Sequence, residues 1–142
     1  MSQVAFVIPG PPKGKGRPRF KKIGNFTKAY TPEDTLNYEN LVKVMYDQKC
    51  DNQKLEGAIR AEIVGYFPIP TSTSKKRQML MEEGKIHYTK KIDCDNLAKI
   101  VLDALNKIAF NDDAQVSELI VAKKYSSTPR TVVRLTEIEE QD

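Results

Sequence analysis

Apolar positions along this chain recur with two periods, and together they predict a mixed order of strands and helices. Val4 to Ile8 is a short apolar run stopped by Pro9-Gly10, which reads as a strand. Thr31-Pro32-Glu33-Asp34 is a helix start, with Thr31 as N-cap and Pro32 at the first helical position, and the helix runs to about Gln48. Ile59, Ala61, Ile63, Gly65 and Phe67 alternate with more polar neighbours, giving a strand that ends before Pro68. Ser72 or Ser74 starts a short helix through Met79 to Glu83, closed by Gly84, and residues 85–94 form a basic, extended approach. Between positions 96 and 109, Leu97, Ile100, Val101, Ala104, Leu105 and Ile108 fall on one helical face, with Lys99, Asp103 and Lys107 as a solvated stripe opposite. Val116 to Tyr125 and Thr131 to Ile138 read as a closing hairpin, and Glu137, Glu139, Glu140 and Asp142 as a solvated, frayed tail.

The ends of the central helix carry the chemistry. Asp93-Cys94-Asp95-Asn96-Leu97-Ala98-Lys99 precedes it and Asn111-Asp112-Asp113-Ala114-Gln115 follows it, so two carboxylates stand at each end. A helix over residues 96–109 is roughly 20 Å long at about 1.5 Å per residue, so the two clusters converge only if the chain turns back. In an extended segment Asp93 and Asp95 point the same way, and their mutual repulsion makes them either a cation site or a proton-sharing pair. Hard oxygen donors without a His or Cys cluster suit Mg²⁺, with Mn²⁺ as a substitute, and so sparse a set leaves room for substrate phosphate oxygens. The bland alternative is that Asp95 and Asn96 cap a helix beginning near Leu97 and that Asn111-Asp112-Asp113 is a turn. Lys99, one helical turn beyond Asp95, forms at least an ordinary i,i+4 pair.

Charge changes the picture through its distribution. The net charge is only +4, but residues 1–32 hold Lys13, Lys15, Arg17, Arg19, Lys21, Lys22 and Lys28 and no acid. A basic arm, about residues 10–30, beside an acidic pocket suits nucleic acid: the arm takes phosphates and the pocket takes the scissile one. Gly10-Pro11-Pro12-Lys13-Gly14-Lys15-Gly16 lacks the spacing and the Ser/Thr of a phosphate loop, and Arg19 stands where a dinucleotide motif needs its third glycine. No nucleotide cofactor is expected, and the arm reads as flexible or turn-rich. Length predicts one domain over 1–142, and the stretch over about 58–138, which holds both acidic clusters, is the expected core of whatever chemistry they perform. With no membrane-length apolar stretch and no leader, the expectation is a cytoplasmic protein; Cys50 and Cys94 read as reduced thiols and His87 as a loop residue.

Asp93-Cys94-Asp95-Asn96-Leu97-Ala98-Lys99, continuing through Leu102-Asp103-Ala104-Leu105-Asn106 to Asn111-Asp112-Asp113-Ala114-Gln115-Val116, resembles the RusA family of Holliday junction resolvases, common in prophages. Pro9-Gly10, Gly14-Lys15-Gly16-Arg17-Pro18-Arg19-Phe20 and Tyr30-Thr31-Pro32 extend the resemblance over most of the chain. It implies a mixed α/β (α+β) domain with a mixed four-stranded sheet packed by helices. It also implies a homodimeric, Mg²⁺-dependent endonuclease of recombination and repair that nicks two opposed strands of a four-way DNA junction. By that resemblance Asp93, Asp95 and Asp113 are the metal-binding acids, Lys99 is the essential lysine, and Asp112 is an adjacent acid with a supporting role. Expected DNA contacts are Lys13, Lys15, Arg17, Arg19, Lys21, Lys90 and Lys91. Lys90-Lys91-Ile92 departs from the several arginines that precede the first acid in the best-studied type of member, so cleavage-sequence preference does not carry over. Two other readings remain at this level: a less selective nuclease for forks or flaps, and a non-catalytic DNA-binding module.

Overall fold

Strand β4 (Ile59–Pro68) is the centre around which the chain is built. Ile59, Ala61, Ile63, Gly65 and Phe67 are buried on one face while Arg60, Glu62, Val64 and Tyr66 are half-buried on the other, the alternation its sequence predicts. The computed structural model describes residues 2–141, so the part of the predicted tail that falls on Asp142 lies outside the described residues. Around β4 the sheet is ordered β1-β6-β4-β5, with β1 spanning Gln3–Pro9, β5 Val116–Ser126 and β6 Arg130–Glu137. β6 is antiparallel to both β1 and β4, whereas β5 runs parallel to β4. The mixed four-stranded sheet expected from sequence is present.

The predicted closing hairpin is not. β5 and β6 both pair with β4, which lies between them, although only Ser127–Pro129 separates them in sequence. Their connection is pinned from outside: the carboxylate of Glu82 accepts from the Ser127 backbone N–H at 2.8 Å, and Arg130 donates to Ser126 Oγ at 3.2 Å. The parallel β4–β5 pair needs a crossover, and two helices supply it. These are α2 (Lys75–Glu82), whose N-cap Ser74 accepts from the Arg77 N–H, and α3 (Cys94–Leu105).

Helix α1 (Glu33–Cys50) starts one residue later than predicted and runs two residues further. Pro32, not Thr31, is the N-cap residue; its backbone is extended, and its carbonyl accepts the Leu36 N–H at 3.1 Å without any side-chain cap. Thr35, Tyr38, Val42 and Tyr46 form its buried stripe, and the Tyr38 hydroxyl meets Thr131 Oγ1 at 3.0 Å inside the core. α1 and α3 cover the face of the sheet that carries Val4, Phe6, Ile8, Ile59, Ala61, Ile63, Val133 and Leu135. Each fully buried Ile or Leu of this layer contributes roughly 2 kcal/mol of transfer free energy. No helix among the described residues is long and apolar enough to cross a membrane.

Two local features place the site. Gly65 sits where a Cβ would stand 2.8 Å from Leu97 Cδ2 and 3.3 Å from Pro12 Cγ, so its missing side chain lets α3 and the start of the arm lie against β4. Tyr88 stacks on Phe67 with ring centroids 3.9 Å apart and meets Tyr125 edge-on, which anchors the irregular approach between α2 and α3 to the end of the sheet.

The arm differs most from its expectation. Residues 19–30 are not loose: β2 (Arg19–Ile23) and β3 (Phe26–Tyr30) form a two-stranded antiparallel hairpin. At the other end of the sheet, Glu137 is likewise no frayed residue. Its carboxylate accepts from the Ser2 N–H at 2.8 Å and the Glu56 N–H at 2.7 Å, and these backbone donors hold its pKa below the usual glutamate value.

Candidate active site

α3 begins at Cys94, two residues before the predicted start at 96. Asp93 is the N-cap residue, with extended backbone, and its carbonyl accepts the Leu97 N–H at 3.0 Å. Its carboxylate makes no capping hydrogen bond, and Asp95 lies inside the first turn. The strand-like alternation assumed for Asp93-Cys94-Asp95 therefore gives way to a helix start, with one acid at the cap and one in the first turn, where the positive end of the helix dipole favours carboxylates. Both side chains are exposed, and neither is in an ion pair among the described residues. The capping alternative is thus not what occupies these carboxylates.

The arm reaches this helix start. Gly14 packs so closely that a Cβ there would collide with the Ile92 side chain and come within 3.4 Å of Asn96 Cβ. Lys15 N–H donates to the Asn96 carbonyl at 3.0 Å, and Gly16 N–H donates to Thr35 Oγ1 at 3.1 Å. The glycines thus serve close backbone approach and not phosphate cradling. A cleft of about 370 Å³ results, lined by Gly14, Lys15, Arg17, Lys91, Ile92, Asp93 and Asn96. A larger hollow of about 520 Å³ between β1 and the end of α1 is lined by Ala5, Phe6, Val7, Met45, Gln48, Lys49 and Val132; it is apolar and lacks chemistry.

Among the expected DNA contacts, Lys15 is engaged within the chain. Its ammonium lies 2.8 Å from Glu39 of α1 and 3.1 Å from Asp103 of α3, so Asp103 belongs to an interhelical ion-pair triad and not to a solvated stripe. Burial alone would lower the Lys15 pKa, but the hydrogen bonds and charges of Glu39 and Asp103 outweigh it and leave the pKa above the ordinary value of 10.5. A folded-state pKa raised in this way stabilises the fold below 10.5, and the contribution is lost as the pH rises through the folded value. Lys15→Met should cost about 1 kcal/mol at neutral pH, since the triad is partly screened by solvent, and the difference from the parent should shrink as the pH rises above the ordinary lysine value. The salt dependence of DNA binding should stay unchanged, which urea denaturation and salt titration measure together.

The remaining cations lie at different distances from the cleft. Arg17 and Lys91 line it. Lys13 lies beside Asp34, Asn37 and Tyr38 of α1, and Arg19 and Lys21 stand on the hairpin. Lys90 lines a polar cavity of about 500 Å³ with Arg77, His87 and the Ser72–Ser74 turn. Lys99 is exposed one turn beyond Asp95 and joins no ion pair among the described residues. Position along the sequence showed neither the contact of Asn96 with the arm nor that of Asn106 with Asp113. The asparagines directly after the first acid pair and at the helix end were the available signal.

The second acid cluster stays at the far end of α3. The helix stops at Leu105, short of the predicted 109, because Asn106 leaves helical geometry and Lys107 adopts a left-handed backbone (φ 71°). Asn106 Oδ1 accepts the Asp113 N–H at 3.1 Å. Asp112 is the N-cap of the short 3₁₀ turn Asp113–Gln115, and Gln115 Oε1 accepts from the Asn111 and Asp112 N–H groups at 2.8 and 3.2 Å. Gln115 Nε2 also donates to the Gly57 carbonyl at 3.0 Å, tying the turn to the entry of β4. The 12 residues of α3 span about 18 Å at 1.5 Å per residue, with Asp93 at the N-terminal end and the Asp113 backbone tied to Asn106 at the other. Among the described residues no group of three acidic, His or Cys side chains gathers to hold a metal ion. Asp93 and Asp95 are neighbouring hard oxygen donors that join no ion pair among the described residues, a pair that fits a cation which keeps waters and takes phosphate oxygens.

A family profile described as Endodeoxyribonuclease RusA matches residues 9–136. The chain is also 32% identical over 140 residues to "Uncharacterized protein YqaN" of Bacillus subtilis (strain 168), a match covering 97% of this chain and 99% of that protein. Because the profile takes in the arm, all three helices and both acid clusters, the chain belongs to the RusA endodeoxyribonuclease family.

Proposed function

We propose that this protein is a Mg²⁺-dependent endonuclease that resolves four-way DNA junctions by paired symmetric nicks and works as a homodimer. The observation that carries the reading is the cleft in which Arg17 of the arm and Lys91 of the approach converge on Asp93. A phosphodiester entering it meets two cations that orient its charge and a carboxylate that prefers a divalent ion to an empty site. Asp93 and Asp95 would hold the metal, with Asp113 completing the set. When bound, the metal supplies the Lewis acidity that activates a water and offsets phosphate charge. Lys99, on the same side of α3 as Asp95, stabilises charge developing on the phosphate or the leaving oxygen. Lys99→Met should lower turnover about a hundredfold with a much smaller change in DNA affinity; equal losses would make Lys99 a binding residue.

The homodimer follows from two considerations. A four-way junction offers two equivalent scissile phosphates, and a two-fold dimer presents two equivalent sites. α3 also holds Asp113 away from Asp93 in one chain, so a site using all three acids draws Asp113 from the second copy. The test is cleavage of a four-way junction, a fork and a linear duplex with and without Mg²⁺. Selective, Mg²⁺-dependent cutting of the junction supports the reading; equal cutting of all three supports a general nuclease, and binding without cleavage in any metal supports a binding module.

A further inference from the structure

Among the described residues, the β2–β3 hairpin is the one element whose side chains are all exposed. All ten of its residues are exposed, including Phe20 at 70%, Phe26 at 76%, Ile23 at 52% and Tyr30 at 45%. A two-stranded hairpin is marginal in water on its own, and exposed aromatics mark a surface that meets a partner. Its register places Arg19 beside Tyr30, Lys21 beside Lys28 and Ile23 beside Phe26 on one face, and Phe20 beside Ala29 and Lys22 beside Thr27 on the other. Lys21 and Lys28 are thus directly opposed like charges, which destabilise a strand pair, and no acid lies on the hairpin to offset them. The turn is the two residues Gly24-Asn25, with Gly24 at positive φ (59°), so Ile23 and Phe26 flank the tip.

An apolar tip with cations along both flanks selects a particular ligand. A second copy of this chain would bring four more cations on the same hairpin, whereas nucleic acid relieves the lysine repulsion and gives the rings bases to stack on. Within intact duplex the bases are already stacked. At a branch point they are available to an inserted apolar wedge. We propose that the hairpin reads the branch point: Ile23 and Phe26 pack on unstacked bases there, while Arg19, Lys21, Lys22 and Lys28 take the phosphates of the arms leaving it. This rests on the junction reading above and deepens it, since it locates selectivity outside the acidic cleft.

The experiment measures binding in EDTA, so that cleavage plays no part, using a four-way junction and a linear duplex that each carry 2-aminopurine at the corresponding central position. The parent should bind the junction more tightly and change the 2-aminopurine emission there and not in the duplex. Ile23→Ser with Phe26→Ser should weaken junction binding about tenfold, abolish the emission change and leave duplex affinity within about twofold. Lys21→Ala with Lys28→Ala should weaken both DNA forms and reduce the salt slope by about two units. The substituted side chains are exposed, so an unchanged melting temperature verifies the fold. Equal losses on junction and duplex, or retained junction preference and emission change in the tip variant, overturn the proposal while the junction reading stands. A parent without junction preference overturns both. A tip variant that sediments as monomer where the parent is a dimer assigns the hairpin to the contact between copies instead.

Discussion

Asp95→Asn should reduce cleavage in Mg²⁺ by on the order of a thousandfold and leave the affinity for a four-way junction unchanged or slightly improved. The substitution keeps the shape of the side chain and removes its charge, and Asp95 is exposed in the first turn of α3 and joins no ion pair among the described residues, so the fold loses only a small helix-dipole contribution. Loss of that charge should relieve repulsion between Asp93, Asp95 and the DNA backbone, which is why binding should not suffer. Asp113→Asn should be as damaging as Asp95→Asn. Asp112→Asn should be milder, because Asp112 stands at the cap of the turn that positions its neighbour. Near-normal turnover in Asp95→Asn, measured under single-turnover conditions on a junction, would contradict the metal role.

The second large effect arises when the two inactive proteins are combined. If Asp95 of one copy and Asp113 of the other serve one site, a mixed dimer of Asp95→Asn and Asp113→Asn has one site carrying both substitutions and one carrying neither. Random exchange of subunits makes about half the dimers mixed, so about a quarter of the parent's nicking should return. If all three acids served a site from one chain, every site in every dimer would keep one lesion and activity would stay absent. Co-refolding the two variants and counting nicks separates these outcomes. The geometry that motivates the experiment is the anchoring of Asp113 to Asn106 at one end of α3 while Asp93 caps the other.

Periodicity reported what each segment buries and little about where it goes. The alternation of β4 and the i, i+3, i+4 stripe of α3 were legible because each has one face in the core, so burial is written into every second or every third and fourth residue. Adjacency of β5 and β6 was inferred from a short connection, but which strand lies between them depends on long-range competition for the apolar β4, and no local pattern encodes that. The β2–β3 hairpin escaped notice for the opposite reason. Both of its faces are wet, so no alternation shows, and only Gly24-Asn25 between Ile23 and Phe26 signalled a turn. At the site, the acids and the basic arm were visible as residue types. Lys15 looked like one more cation for DNA because its partners, Glu39 and Asp103, come from two different helices. The helix end was overrun because Ile108 fits the apolar period, although Asn106 had left the helix to hold Asp113.

A supercoiled plasmid that extrudes a cruciform tests the central claim in a single lane of a gel. Two symmetric nicks within one binding event convert it directly to a linear molecule with sealable ends at the cruciform, whereas a single nick releases the supercoil, reabsorbs the cruciform and yields a relaxed circle. A two-fold dimer with paired cleft sites predicts linear product as the major species from the earliest time points, in Mg²⁺ and not in EDTA. Relaxed circles as the major product, or equal cutting of a plasmid without the cruciform, would contradict it.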